Sequence, residues 1–350
     1  MTASLAVLTL LVLLASYSGV RLLILWTIRR QILDVPNERS SHSRPTPRGG
    51  GLVIVVVTLA AWAAHSFLVG ELTNPPLFAI LAYLGGAVAI AYTSWKDDLH
   101  PLPNWMRFGV HSGAALLAMA IMGYWQSMRV PLLGLVEVGW LGIPLTFLWI
   151  VGLTNAYNFM DGIDGLAGGQ GAIAALGWTL LAWRLEQPVI MGLALFLVAA
   201  TAGFLVHNWP PARIFMGDVG SAFFGYTFAV LPLLHSPSTE RVPFAALILV
   251  WPFVFDTGFT FVRRLHNRER IFEAHRSHLY QRLVIAGYTH RDVTLLYLAI
   301  AFVNVLLALW WLGDTEMQGL ILALLVIESL LLWSLVLYRE RTRRQAYPHF

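Results

Sequence analysis

The sequence predicts an all-α, polytopic membrane protein folded as a single helical bundle over residues 1–350. Mean hydropathy is +0.67. Hydrophobic residues make up 57% of the chain and charged residues only 12%, against about 25% charged in soluble domains. The apolar residues also gather into runs of the ~20 residues that a membrane helix needs. A soluble fold of 350 residues could not enclose so much apolar surface, so lipid is the expected solvent.

Taken in order, the runs give about eleven spans, near 4–26, 51–69, 77–95, 105–123, 141–158, 171–184, 189–207, 219–235, 241–262, 293–312 and 317–338. The first lacks a basic leader, is too long for a signal peptide and ends at Arg29-Arg30; it reads as an uncleaved helix with its N-terminus outside. Val130 to Trp140 is too short to cross and reads as an outer hairpin or a re-entrant segment.

Charge sets the orientation. Loops on one side, near 27–50, 95–105, 158–170, 207–219 and 263–292, and the C-terminal tail hold nearly all the Lys and Arg, whereas the other side holds only Arg129, Arg184 and Arg241. By the positive-inside rule the basic side is cytoplasmic. The net charge of +4 therefore matches a membrane surface, and no nucleic-acid partner is expected. With no cysteine, disulfides, thiolate metal sites and cysteine nucleophiles are excluded.

The polar motifs lie on that same side. Asp97-Asp98 closes the third span; adjacent carboxylates need a nearby cation or proton, which a metal, a basic substrate or merely Lys96 could supply. Asn155, Asn158 and Asp161 recur every third residue before a Gly-rich turn containing Asp164. Amide and carboxylate oxygens are hard ligands suited to Mg²⁺ with phosphates, and such polar groups beside membrane spans are costly unless used. Asn208 to Ser221 leads into the eighth span, and Gly217-Asp218 opens it. Its first N–H groups could hold a phosphate, with Asp218 on a metal, or Asp218 could simply cap the helix.

His275-Arg276-Ser277-His278 lies in a basic loop; its histidines would share a face if helical, to bind metal or, charged, to grip phosphate. Arg44 and Arg48 belong to a hydroxyl-rich stretch ending in Gly49-Gly50-Gly51, suited to an anionic headgroup or to an ordinary basic loop. Asp256 and Glu328 are acids inside spans and so candidates by position. Together these motifs read as a metal–diphosphate site for phosphoryl transfer at the inner membrane edge.

The ordered set (Asp97-Asp98, Asn155 through Gly165, Asn208 through Ser221, His275 through His278) resembles the polyprenyl-phosphate N-acetylhexosamine-1-phosphate transferases, a superfamily that includes phospho-N-acetylmuramoyl-pentapeptide translocase. The stretch from Ser40 through Gly51 is similar to the O-antigen-initiating branch. The resemblance implies a bacterial inner-membrane enzyme with a cytoplasmic active site. It would transfer an N-acetyl-sugar-1-phosphate from a UDP-sugar to undecaprenyl phosphate, releasing UMP, with Mg²⁺, or Mn²⁺ as substitute. It implies Asp218 and Asn158 as metal ligands; Asp97, Asp98, Asp161, His275 and His278 as catalytic residues; and Asn155, Asp164, Asn208, Phe215, Arg276, Arg44 and Arg48 as substrate-binding. Ser277 stands where relatives often have a further histidine. The sugar and the oligomeric state, a homodimer included, are left open. The lipid phosphate is largely dianionic at neutral pH, its second pKa being ~6, so direct attack is expected rather than a covalent aspartyl intermediate.

Two rivals are a secondary transporter, expected to bind near the midplane between repeats, and a CDP-alcohol phosphotransferase, whose Asp-x-x-Asp-Gly-x-x-Ala-Arg pattern fails here at Gly168. A non-catalytic scaffold would leave the acids unexplained.

Overall fold

The computed structural model describes residues 3–36, 44–69, 75–235, 240–270, 275–313 and 317–346. Each predicted run is helical. In chain order they are α1 (Ala3–Arg29), α2 (Gly51–Val69), α3 (Leu77–Leu99), α4 (Asn104–Met122), α5 (Gly142–Met160), α6 (Leu166–Arg184), α7 (Pro188–Asn208) and α8 (Asp218–Leu234). The ninth run is two helices, α9 (Val242–Leu249) and α10 (Trp251–His266), which meet at 77°. Pro252 lies in the first turn of α10, where its missing N–H is tolerated but where it cannot continue a helix arriving from α9. The chain ends with a short α11 (Leu279–Ile285), then α12 (His290–Gly313) and α13 (Gln318–Ala346).

Among the described residues, α1, α3, α4, α5, α7, α12 and α13 are the seven helices long and apolar enough to cross a bilayer alone, and the bent α9–α10 pair makes an eighth. The protein is thus a multi-pass, all-α membrane protein. α8 is buried along nearly its whole length and is flanked by α2, α3 and α5, so protein rather than lipid covers it. The first two turns of α6 carry Gly168-Gly169-Gln170-Gly171, all buried; the Gln170 amide N–H donates to the Leu249 carbonyl at 2.9 Å.

Segment Val130–Trp140 belongs to a hairpin. Strands β3 (Ser127–Val130) and β4 (Gly134–Glu137) pair antiparallel from Ser127↔Glu137 to Val130↔Gly134. It joins the C-terminus of α4 to the N-terminus of α5, the edge opposite the polar motifs. There Arg184 and Arg241 also donate to the last carbonyls of α12, Leu309 and Leu312, each at 3.0 Å, a favourable place for cations.

At the motif-bearing edge, strand β1 (Leu33–Asp34) pairs with β2 (Thr46–Pro47). Residues 37–43, between them, lie outside the described residues, as do 271–274 of the basic loop. Just after β2, Gly50 and Gly51 donate to the Phe215 and Met216 carbonyls, both at 2.9 Å, so this segment is zipped to the loop before α8. A Cβ at Gly51 would collide with the backbone of Gly220, which lets α2 and α8 start in contact. Gly49 has φ +95° and lies against the Trp95 ring, a backbone conformation that disfavours any other residue.

Gly51→Ala is therefore expected to lower stability by about 1–3 kcal/mol, the usual cost of overpacking, read as an earlier unfolding transition of the purified protein in detergent. An unchanged transition would mean that α2 and α8 do not meet at these glycines.

Candidate active site

The site is assembled where α3 ends, α4 begins and α8 begins. The sequence reading left the first N–H groups of α8 free for a phosphate. In the structure a protein carboxylate holds them: Asp98 accepts from the Asp218 N–H at 3.0 Å and the Val219 N–H at 3.2 Å. Gly217, at φ +77°, precedes them, and a Cβ there would strike the Asp98 carboxylate. A carboxylate on two unpaired N–H groups at a helix start gains hydrogen bonds and the helix dipole together.

Two arginines complete the cluster. Arg48 places Nε 2.8 Å from Asp98 Oδ1 and Nη2 2.8 Å from Asp218 Oδ1. Arg107, in the first turn of α4, places Nη1 2.8 Å from Asp97 Oδ2 and 2.9 Å from Asp218 Oδ2. Its Nη2 donates to Asn104 at 2.9 Å. The remaining oxygen of Asp97 accepts from the Leu102 N–H. The acids lie behind and the arginines in front: side-chain exposure is 2% for Asp98, 9% for Asp97 and 14% for Asp218, against 33% for Arg48 and 31% for Arg107.

Asn158 lies within hydrogen-bonding reach of Asp218, so α5 contributes to the same cluster. Asp161 follows the end of α5. Its carboxyl is desolvated and faces Asp218, which together push it up to about 8, although Arg48 pulls the other way. Burial alone would lower the pKa of Arg48; Asp98 and Asp218 outweigh that and raise it. Four carboxylates (Asp97, Asp98, Asp161, Asp218) face two guanidinium groups, so full ionisation would leave an excess of two negative charges.

Apart from those of the histidine loop, the sequence candidates separate into three groups. Asp97, Asp98, Asn158, Asp161, Asp218 and Arg48 form the cluster. Asp164, Asn208 and Phe215 tie the neighbouring loops together. Asn208 accepts from the Gly165 N–H at 3.0 Å and donates to the Ile214 carbonyl at 2.8 Å. Asp164 accepts from the Ala212 N–H at 3.1 Å and lies 3.4 Å from His290 Nδ1. The Phe215 N–H donates to the Pro47 carbonyl at 2.8 Å. Two candidates stay outside the ion pairs: the Asn155 amide donates back to the Val151 carbonyl at 2.7 Å and lies beside His111, which Arg107 and Asp218 face, and Arg44 is exposed and makes no ion pair with these acids among the described residues.

The histidine loop sits on the Asn158–Asp164 turn. His275 and His278 do not share a helix face, since His278 is the cap residue that opens α11; their rings are nevertheless 5.0 Å apart. His278 stacks on Phe159 at 6.2 Å. Burial, with nearby His278 and Arg264, lowers the His275 pKa to about 4, so that ring is neutral; its Nδ1 is 2.9 Å from the Ser277 hydroxyl. Ser277 also accepts at its carbonyl from Arg263 at 2.9 Å. Arg276 is half-buried in the same loop.

Asp256 holds this loop in place. Fully buried in α10, it accepts from the Leu279 and Tyr280 N–H groups at 2.8 and 3.1 Å, from Tyr297 at 2.6 Å, and lies 3.3 Å from His278 Nδ1. Tyr280 then donates to the Phe159 carbonyl at 2.9 Å. Glu328 accepts from Asn304 at 3.1 Å, well away from the cluster. Sequence reasoning missed Arg107, His290 and Tyr280. Arg107 had one signal, its position ten residues beyond Asp97, which an ordinary basic helix start also gives.

These features describe a multi-pass membrane protein with an acid–arginine cluster at one edge of its bundle. The glycosyl transferase family 4 profile matches residues 80–236. Over 275 residues the chain is 36% identical to the probable undecaprenyl-phosphate N-acetylglucosaminyl 1-phosphate transferase of Bacillus subtilis (strain 168), covering 77% of this chain and 75% of that protein. It is 31% identical over 304 residues to the decaprenyl-phosphate N-acetylglucosaminephosphotransferase of Mycobacterium leprae (strain TN), covering 77% and 74%. It is 32% identical over 222 residues to the phospho-N-acetylmuramoyl-pentapeptide-transferase of Latilactobacillus sakei subsp. sakei (strain 23K), covering 61% and 67%. The chain belongs to glycosyl transferase family 4.

Asp98→Ala removes the carboxylate that caps α8, so a loss of at least the ~1–2 kcal/mol typical of a helix cap is expected, measured as a lower unfolding midpoint. Retention of the midpoint would show that α8 does not depend on Asp98.

Proposed function

We propose that this protein transfers an N-acetyl-sugar-1-phosphate from a UDP-sugar to undecaprenyl phosphate, releasing UMP, at the cytoplasmic face of a bacterial inner membrane. The observation that carries the reading is the joining of Asp97, Asp98 and Asp218 to Arg48 and Arg107 at one bundle edge. That position suits a soluble nucleotide arriving from one side and a lipid phosphate held at the interface. The named activities of the relatives supply the substrate classes.

The donor set suits Mg²⁺, with Mn²⁺ as substitute. Asp218 with Asn158 would hold it, hard oxygen ligands of the kind Mg²⁺ takes. The uncompensated negative charge favours a divalent cation. Among the described residues no three of His, Asp and Glu converge as a ready-made metal cage, which agrees with the habit of Mg²⁺ to complete its shell with water and substrate phosphate. When bound, such an ion would neutralise charge developing on the diphosphate.

The chain's own groups suit direct transfer. An oxygen of the lipid phosphate attacks the sugar-bearing β-phosphorus, the bond from that phosphorus to the bridging oxygen breaks, and UMP departs with the bond's electron pair. The attacking phosphate needs no strong base, because its second pKa is ~6. The Asp97 and Asp98 oxygens are engaged by guanidinium or backbone N–H groups, which makes either carboxylate a poor nucleophile. The neutral His275 can accept or donate a hydrogen bond at its second nitrogen, and Arg276 adds charge for phosphate in the same loop. We assign the initiation of O-antigen or a related surface polysaccharide as the cellular role.

Incubating the purified protein with undecaprenyl phosphate, Mg²⁺ and a panel of UDP-sugars is expected to release UMP with one or a few of them. Asp218→Ala should reduce that rate at least ~10³-fold, the scale of losing a major electrostatic element, while remaining folded. Substrate movement across vesicles without any UMP release would instead favour a transporter.

A further inference from the structure

We propose that Arg48 and Arg107 act as resident counter-cations of Asp218, occupying in the unloaded protein the oxygens that a divalent ion requires and turning to the substrate's phosphates when the site fills. The inference rests on the phosphotransfer reading above and adds a coupling that the reading alone does not contain.

The pairing is complete and divided. Asp218 Oδ1 is held by Arg48 and Asp218 Oδ2 by Arg107, at 2.8 and 2.9 Å. Each arginine spans to a second acid, Arg48 to Asp98 and Arg107 to Asp97. The two come from separate elements, the segment before α2 and the first turn of α4, so both can swing independently. Both are about one-third exposed in front of acids that are nearly covered. Anything binding the acids therefore meets the guanidinium groups first.

An ion seated on Asp218 would stand beside two like charges if the arginines stayed. Oxygen ligands approach Mg²⁺ at ~2.1 Å, so an ion on either Asp218 oxygen would lie close to a guanidinium group, and the repulsion between the two cations favours the arginine's departure. A guanidinium offers a planar fork of donors that matches phosphate, so a diphosphate arriving with the ion supplies the arginines with new partners. Ion and diphosphate then bind cooperatively: each makes the exchange favourable for the other, and by linkage the coupling is reciprocal. A protein that holds its metal weakly until nucleotide arrives is the consequence.

The test is Mn²⁺ binding to the full-length protein in detergent, without nucleotide, followed by the electron paramagnetic resonance signal of free Mn²⁺. Arg107→Gln and Arg48→Gln are each expected to bind Mn²⁺ about tenfold more tightly than wild type, within the usual range of site–site coupling. Arg107→Lys, which keeps the charge, should stay near wild type. UMP release by both glutamine variants should fall. Unchanged or weaker Mn²⁺ affinity in both glutamine variants overturns the proposal, because a purely structural arginine predicts weaker binding and a purely phosphate-binding one predicts no change. Undiminished turnover in both overturns the transfer to phosphate. If wild type binds Mn²⁺ but releases UMP from no UDP-sugar, the reaction is wrong while the Mn²⁺ comparison still decides the counter-cation role. Monodisperse elution and an unfolding transition within a few degrees of wild type qualify each variant, and the two arginines serve as independent trials.

Discussion

The carboxylate of Asp98 beneath the N-terminus of α8 is the contact on which the rest of the site depends. It fixes where α3 ends relative to α8 through two backbone N–H groups, and it is the second anchor for Arg48. Once it is seated, Asp218 is the first residue of a helix whose start cannot drift. Arg48 is then drawn across both acids, and with it the Gly49-Gly50-Gly51 segment that opens α2. Removing the charge would loosen the start of α8 and release one of the two acids that hold Arg48.

Charge neutrality explains why the cluster needs so many partners. Carboxylates away from water are stable only when paired and hydrogen-bonded. Two guanidinium groups satisfy much of the demand of Asp97, Asp98 and Asp218. Asp161, desolvated by burial and facing Asp218, holds its proton up to about 8. The cluster is thus internally paired and still short of positive charge. The histidine loop is organised on a different principle. It is held from below by Asp256, itself buried and multiply bonded, and touches the rest through Tyr280 and the Phe159 ring.

Much of this was legible in the sequence, for reasons that are local. Run length located the helices, since a bilayer demands a continuous apolar stretch. Polar residues at the edges of those runs, Asp97-Asp98, Asn158, Asp161 and Asp218, stood out because their placement is costly. What could not be read was pairing. The break between α9 and α10 looked like one continuous run, since a proline in a first turn leaves hydropathy untouched. The N–H groups of α8 looked free because their partner, Asp98, is 120 residues earlier. Arg107 is a single basic residue at a helix start, indistinguishable in sequence from the many that only mark the inner side. Asp256 looked like a lone intramembrane acid because its partners lie in α11 and α12.

The same pairing bears on why arginine stands at positions 48 and 107. A lysine ammonium is a compact point charge without the planar fork that matches phosphate. Each arginine here bridges two acids at once: Arg48 uses Nε toward Asp98 and Nη2 toward Asp218, while Arg107 shares Nη1 between Asp97 and Asp218 and keeps Nη2 on Asn104. The Nε–Nη2 fork by which Arg48 spans two carboxylates also fits two oxygens of a phosphate. The geometry that pairs these acids is therefore one that phosphate oxygens can take over, and an exchange at the edge of the bundle need not drag charge through its apolar interior.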